Sequence, residues 1–141
     1  MIQRFVLDAW AVLALLQGEE PAASRVKELL ERALREEAEL FISIMNLGEV
    51  IYTVGKARGD REANETLQGI QRLPISIVSA SDERVFAAVG FKMRHAISYA
   101  DAFAAAMAYD LNAILVTGDR ELLEIGEIIL LERLRRSSDH D

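Results

Sequence analysis

The feature that most constrains this chain is the spacing of its short apolar runs. Residues 2–7, 40–43, 75–78, 113–116 and 127–131 are brief, aliphatic and rich in Val and Ile. Apart from Gln3-Arg4, Ser43, Ser76 and Glu127 each is apolar instead of alternating, the mark of a strand covered on both faces. Longer segments with helical signals separate them. Strands that alternate with helices pair in parallel through crossovers, so the fold class is α/β with a parallel sheet. Such sheets bind ligands beyond the carboxyl ends of their strands, where the strand order reverses.

The helical signals are specific. A helix over 10–17 stops at Gly18, and Pro21 suits the first turn of a second, running to about residue 38. Glu28/Arg32 and Glu31/Arg35 are spaced for i,i+4 pairs on its wet face. Residues 46–56 read as a helix broken by Gly59, and 61–73 as one stopped by Pro74. Ser81 and Ser98 each cap a helix, to about 95 and 110, and 120–123 make a helical turn. From residue 132 the chain is charged and is expected to fray. No linker or repeat divides it, so one domain is expected over 1–132, with a charged tail at 133–141.

Composition excludes several classes of function. The longest apolar runs, 9–16 and 102–109, fall far short of the roughly 20 residues that cross a membrane. Arg4, the apolar stretch after it and Ala22-Ala23 have the outline of a signal peptide, but Asp8 interrupts the apolar part. Cys is absent, which removes disulfides, zinc-thiolate sites and Cys catalysis and fits a cytoplasmic protein. Two His, His95 and His140, do not make a His-rich metal site, and His95 reads as a helix C-terminal residue. The net charge of −7 leaves any polynucleotide binding to local patches or metal ions.

The acidic residues then fall into place. Asp8 ends the first strand and Glu49 lies one turn into the helix after the second. Asp101 starts the helix leading to the fourth strand, and Asp119 follows that strand. All four are predicted at one edge of the sheet, in apolar company. Clustered, partly buried carboxylates repel, and a divalent cation relieves them. Oxygen-only donors suit Mg²⁺ or Mn²⁺. Each acid also has a plainer reading. Asn46-x-x-Glu49 and Ser98-x-x-Asp101 resemble capping boxes, while Asp8 and Asp119 could be N-caps. The two readings are compatible, because a helix N-terminus stabilises the same negative charge. Ser43 and Thr117 flank the edge, either bonding a carboxylate or metal-bound water from behind or serving the local backbone. Gly118 reads as a tight turn.

Three blocks, "FVLDAWAVLALL", "FISIMNLGEVIY" and "SYADAFAAAMAYDLNAILVTGDREL", resemble in order and spacing the PIN domain. More narrowly, they resemble the single-domain toxin nucleases of VapBC toxin–antitoxin pairs. The resemblance implies a three-layer α/β/α sandwich with a five-stranded parallel sheet. It implies a Mg²⁺- or Mn²⁺-dependent endoribonuclease, with Asp8, Glu49, Asp101 and Asp119 as catalytic and metal-binding acids. Asp8 and Asp101 would be direct ligands, Asp119 a ligand or the holder of a metal-bound water, and Glu49 the residue that orients or deprotonates water. It also implies an antitoxin partner, homodimerisation and no membrane. Two departures stand out: Gly118 precedes the fourth acid where the family often has a polar residue, and Leu122-Leu123 stand where it often has Phe. RNA could track Lys56, Arg58 and Arg61, or Lys92 and Arg94; the alternative is that these basic residues are solvated helix ends.

Other classes share parts of this pattern. A haloacid-dehalogenase-like phosphatase needs an acid two residues after the nucleophile, where Trp10 stands. A receiver-like domain needs paired early acids and a late Lys, but no Lys follows Lys92. A catalytically inactive PIN-like binding module would not need all four acids.

Overall fold

The computed structural model describes residues 2–126 and 128–139. Five strands, β1 (Gln3–Leu7), β2 (Ala38–Ser43), β3 (Ser76–Val78), β4 (Ile114–Thr117) and β5 (Leu131–Arg133), form one sheet. All are parallel, in the order β3-β2-β1-β4-β5. The described helices are α1 (Ala9–Gln17), α2 (Ala22–Leu34), α3 (Ile44–Arg58), α4 (Asp60–Gln71), α5 (Asp82–Arg94), α6 (Tyr99–Leu111) and α7 (Arg120–Leu123).

Side chains alternate across the sheet and build two cores. Phe5, Leu7, Leu40 and Ile42 pack under α1, α2, α3 and α4. Val6 and Leu115 point the other way, against α6 and Ala88 of α5. The expected three-layer α/β/α sandwich is therefore present. Helix α6 is Ala-rich where it meets the sheet, and Ala102, Ala104, Ala105, Ala106 and Ala108 are all buried. Small side chains let it lie close to β1, β2 and β4. The sheet reverses direction at β1, since β2 and β3 extend to one side and β4 and β5 to the other. The crevice beyond β1 and β4 is thus the expected ligand position.

Several boundaries differ from the sequence expectations. Helix α2 ends at Leu34, because Glu36 turns left-handed (φ 60°) and the Glu37 N–H bonds back to the Arg32 carbonyl at 2.8 Å. Ala38, expected in the helix, opens β2. Glu28/Arg32 and Glu31/Arg35 do not form ion pairs. Arg25 pairs with Glu28, Arg32 donates to Gln3, and Arg35 pairs with Glu37. Helix α3 begins two residues before Asn46.

The fifth strand overlaps its expected range only at Leu131; Glu127, where that range begins, lies outside the described residues. Ile125 and Ile129 are buried as loop anchors, so their apolarity does not mark a strand. The paired residues include Glu132 and Arg133, which an edge strand tolerates because it is open on one side. The charged segment is also tied down where fraying was expected. Arg25 forks onto Glu132 at 2.7 and 2.9 Å, and this bond raises the guanidinium pKa further. The Leu134 N–H bonds the Thr117 carbonyl at 2.8 Å, and the Ala22 N–H bonds the Arg135 carbonyl at 3.0 Å. His140 and Asp141 lie outside the described residues.

Leu134 is 2% exposed and belongs to the α1–α4 side of the core. Leu134→Ala is therefore expected to cost about 2–4 kcal/mol in denaturant titration. A loss under about 0.5 kcal/mol, typical of a surface site, would show that this segment is not part of the packed fold.

Candidate metal centre

Register explains how the site is assembled. In the β1–β4 pairing Leu7 lies opposite Val116, so Asp8 and Thr117 emerge side by side. The Thr117 hydroxyl donates to Asp8 Oδ2 in a short hydrogen bond, and the Ala11 N–H donates to Asp8 Oδ1 at 2.9 Å. Asp8 thus caps α1 while its carboxylate stands in the crevice, 1% exposed. The same Thr117 hydroxyl accepts the Asp119 N–H at 2.9 Å, and Asp119 Oδ1 caps α7 through the Glu121 N–H at 3.0 Å. Ser98 caps α6 by accepting the Asp101 N–H at 3.1 Å, and the buried Asp101 carboxyl has side-chain hydrogen bonds with Ser98 and Asp119.

Asp101, Asp119 and Glu121 each present a carboxylate oxygen, and these oxygens lie within 4.8 Å of one another. Glu121 was missed in the sequence, where it reads as a solvated residue of a short helical turn. Its only signal is the i,i+2 spacing from Asp119 across an N-cap.

The charges feel one another strongly. Burial first, then the charges of Asp119 and Glu49, push the Asp8 carboxyl up to about 7, against the hydrogen bonds from Thr117 and Ala11 that lower it. Burial also drives Asp101 upward, to about 8. Asp119 adds to this by its charge and by a carboxyl–carboxyl hydrogen bond, and Asp8 by its charge; Ser98 opposes them. Glu49 is exposed as a residue, yet partial loss of water around its carboxyl, and then Asp119, raise it too. The four sequence-predicted acids therefore share one electrostatic site, joined by Glu121. Every donor is a carboxylate oxygen, a set that fits a hard divalent cation.

The capping-box reading of Asn46-x-x-Glu49 fails. Ser43 is the N-cap of α3, its hydroxyl accepting the Met45 N–H at 3.2 Å, and it bonds no carboxylate. Asn46 lies inside the helix, fully buried. Its Oδ1 accepts the Ala9 N–H, and its Nδ2 donates to the Ala100 carbonyl, both at 3.1 Å. Gly118 has no positive φ, so the position does not use the left-handed freedom of glycine. A Cβ there would stand 2.4 Å from carbons of the Trp10 ring. The indole occupies the space of the polar side chain that the family resemblance expects.

The expected RNA-contacting residues divide. Lys56 and Arg58 end α3, which starts at the acidic edge, so Lys56 lies about 18 Å along the axis from its start. Arg58 and Arg61 pair with Glu62 and Glu65 at 3.5 and 3.2 Å. Lys56 donates to Tyr52, which answers to the solvated-helix-end alternative. Lys92 lies beside the start of α6, donating to the Ile97 carbonyl at 2.9 Å and covering the Tyr99 ring. Arg94 donates to the Gly90 carbonyl on α5. His95 caps the end of α5, as the sequence suggested.

The family model of the PIN domain matches residues 5–128. The chain belongs to the PIN domain family. The phosphatase and receiver readings end with that match. Among solved structures, this PIN domain resembles VapBC2 from Rickettsia felis bound to a promoter DNA fragment. The TM-score is 0.71 at 19% identity, covering 94% of this chain and 100% of that one. It resembles DNA-bound VapBC from Salmonella typhimurium at TM-score 0.70 and 17% identity, over 94% and 98% of the two chains. It also resembles VapC20 from Mycobacterium tuberculosis, a sarcin-ricin loop cleaving toxin. Here the TM-score is 0.69 at 16% identity, over 86% and 95%. At these identities the likeness is one of fold. No curated protein matches the chain significantly in sequence. No described helix is long and apolar enough to cross a membrane.

Asp residues titrate near 3.8 in an unfolded chain, and the fold holds Asp8 and Asp101 far above that value. The folded state favours their protonated forms. The stability they lend is full below the unfolded value and is lost as pH rises through about 7 and about 8. In chelator, the denaturation midpoint is expected to rise as pH falls from about 8.5 to about 6. Asp101→Asn should be neutral or stabilising there and should flatten the slope. A midpoint that climbs with pH over this window would contradict the assignment. Gly118→Ala should cost about 1–3 kcal/mol and shift the fluorescence of the chain's single Trp; an unchanged emission maximum would show that the ring does not rest on Gly118.

Proposed function

We propose that this PIN domain is a divalent-metal-dependent endoribonuclease, the toxin of a type II toxin–antitoxin pair of the VapC kind. The observation that carries the reading is the set of carboxylates gathered at the switch point of the sheet, with no Lys or Arg among the described residues acting on Asp8, Glu49 or Asp101. A nucleic acid is polyanionic, and a pocket built of acids can receive it only through metal ions.

Asp8, Asp101, Asp119 and Glu121 would hold Mg²⁺ or Mn²⁺. The ion supplies neutralisation of phosphate charge and a water of lowered pKa. The remaining steps belong to the protein. Thr117 fixes the Asp8 carboxylate by its hydroxyl, and the Ala11 N–H fixes its second oxygen. Of Asp8, Glu49 and Asp101, whose pKa values are all raised, Glu49 alone is exposed, which suits it to take the proton of the attacking water. Lys92 and Arg94 suit the backbone of an RNA approaching the start of α6 better than the α3–α4 cations do.

The VapBC structures of similar fold support an antitoxin partner; homodimerisation rests on the family resemblance, and a cytoplasmic setting on the absence of Cys. A protein of net charge −7 with an acidic pocket suits a basic inhibitor segment. An Arg entering the pocket would compete with the metal through charge-assisted hydrogen bonds.

Cleavage of a panel of structured RNAs, with Mg²⁺ or Mn²⁺ and with chelator, tests the reading. Cleavage should require the metal. Asp8→Asn and Asp101→Asn should each lower kcat by more than about a hundredfold, beyond what loss of an outer-shell partner costs. Arg58→Ala should leave the rate within about twofold, as for a surface side chain remote from the site. Cleavage that persists in chelator, or a well-folded protein inert towards every RNA, would sink it.

A further inference from the structure

One buried side chain joins the two most deeply buried acids. Asp8 and Asp101 are 93 residues apart in sequence, one capping α1 and the other in the first turn of α6, helices on opposite faces of the sheet. Asn46 stands between them, 0% exposed, on the first turn of α3. The N–H that its Oδ1 accepts belongs to Ala9, so this bond grips the peptide unit joining Asp8 to Ala9. The carbonyl that its Nδ2 meets belongs to Ala100, so that bond grips the peptide unit joining Ala100 to Asp101. The orientation of the amide is fixed by chemistry: only oxygen can accept an N–H, and only nitrogen can donate to a carbonyl.

We infer that Asn46 is a positioning residue that sets the spacing of Asp8 and Asp101 and so the metal affinity of the site. A planar carboxamide with two bonds of 3.1 Å leaves the two backbones little freedom to part. The Asp101 peptide is held at its other end too, since its N–H donates to Ser98. The repulsion among Asp8, Asp101 and Asp119 pushes the segments apart, and Asn46 opposes it without adding charge. No other common side chain does this with the same reach. Asp lacks the donor and adds a like charge, Leu lacks both polar atoms, and Gln is one methylene longer. Loss of an outer partner that orients a metal ligand typically costs 10–100-fold in metal affinity or activity.

The inference rests on the nuclease reading for its metal, and the test separates the two. Wild type, Asn46→Ala and Asn46→Asp are compared with Val26→Ala, a core truncation in α2 away from the site. The first readout is hydrogen exchange of the Ala9 amide by NMR, which needs neither metal nor substrate. Asn46→Ala should lose protection there, Asn46→Asp should keep it, and Val26→Ala should change it only in proportion to global stability. The second is Mn²⁺ titration by calorimetry. Asn46→Ala and Asn46→Asp should bind about 10–100-fold more weakly, while Val26→Ala binds as wild type does. The third is RNA cleavage at saturating metal, where Asn46→Ala should lower kcat with KM little changed. Unaltered Ala9 exchange in Asn46→Ala would overturn the inference. So would Mn²⁺ affinity and kcat that fall no further than in Val26→Ala. A wild-type chain that neither binds Mn²⁺ nor cleaves RNA would strike the nuclease reading instead, and Ala9 exchange alone would then decide the tether.

Discussion

Asp8 is buried at the end of the central strand, where the charges acting on it are those of two other acids, Asp119 and Glu49, and much of the structure answers to that. Both oxygens accept hydrogen bonds from the protein, from Thr117 and Ala11, yet its pKa still stands near neutrality because burial and the charges of Asp119 and Glu49 outweigh them. The carboxylate cannot retreat into water. Leu7, just before it, is 0% exposed, and Ala9, just after it, is 3% exposed. Packing on both faces of the sheet thus holds a like-charge cluster at the crevice, and a hard divalent cation relieves it. Hydrophobic burial spread over two cores supports a local arrangement that charge alone would disperse.

α1, α3, α6 and α7 begin at that edge, after Asp8, Ser43, Ser98 and Asp119, and at two of these four the capping side chain is itself one of the clustered acids. The capping and metal readings of Asp8 and Asp119 are one arrangement. The positive ends of helices stabilise carboxylates that a cation would also bind. Asp119 uses one oxygen for the Glu121 N–H while facing Asp101, so the cap delivers Glu121 to the cluster.

The C-terminal segment reaches the same neighbourhood from outside. Leu134 bonds the carbonyl of Thr117, the residue whose hydroxyl serves Asp8 and Asp119. Arg136 lies over the Trp10 ring at 5.0 Å, and that ring rests on Gly118. Strand β5 and the residues after it therefore buttress the loop that carries Asp119.

How much was legible in the sequence follows from the range of each interaction. Continuous apolar runs reported the central strands, because burial on both faces leaves its mark in Phe5, Val6 and Leu7 of β1 and in Leu115 and Val116 of β4. Ser81, Ser98 and Gly18 reported helix ends, because caps are local. The four acids could be placed at one edge, because in a parallel sheet every strand's carboxyl end lies on the same side. The fifth strand was expected, but its extension over Glu132 and Arg133 escaped, since a strand open to solvent on one side carries charges and looks like a tail. The left-handed Glu36 escaped because no Gly or Asn announced it. Glu121 and Asn46 escaped for a deeper reason: their partners are set by chain crossings and not by neighbours in sequence. Composition and periodicity determined that this chain makes a covered parallel sheet with an acidic edge. Only the tertiary structure decided that Leu7 faces Val116, that an indole fills the space at Gly118, and that one buried carboxamide spans Ala9 and Ala100. Those are contacts between residues 37 to 109 positions apart, where register and packing choose the partners.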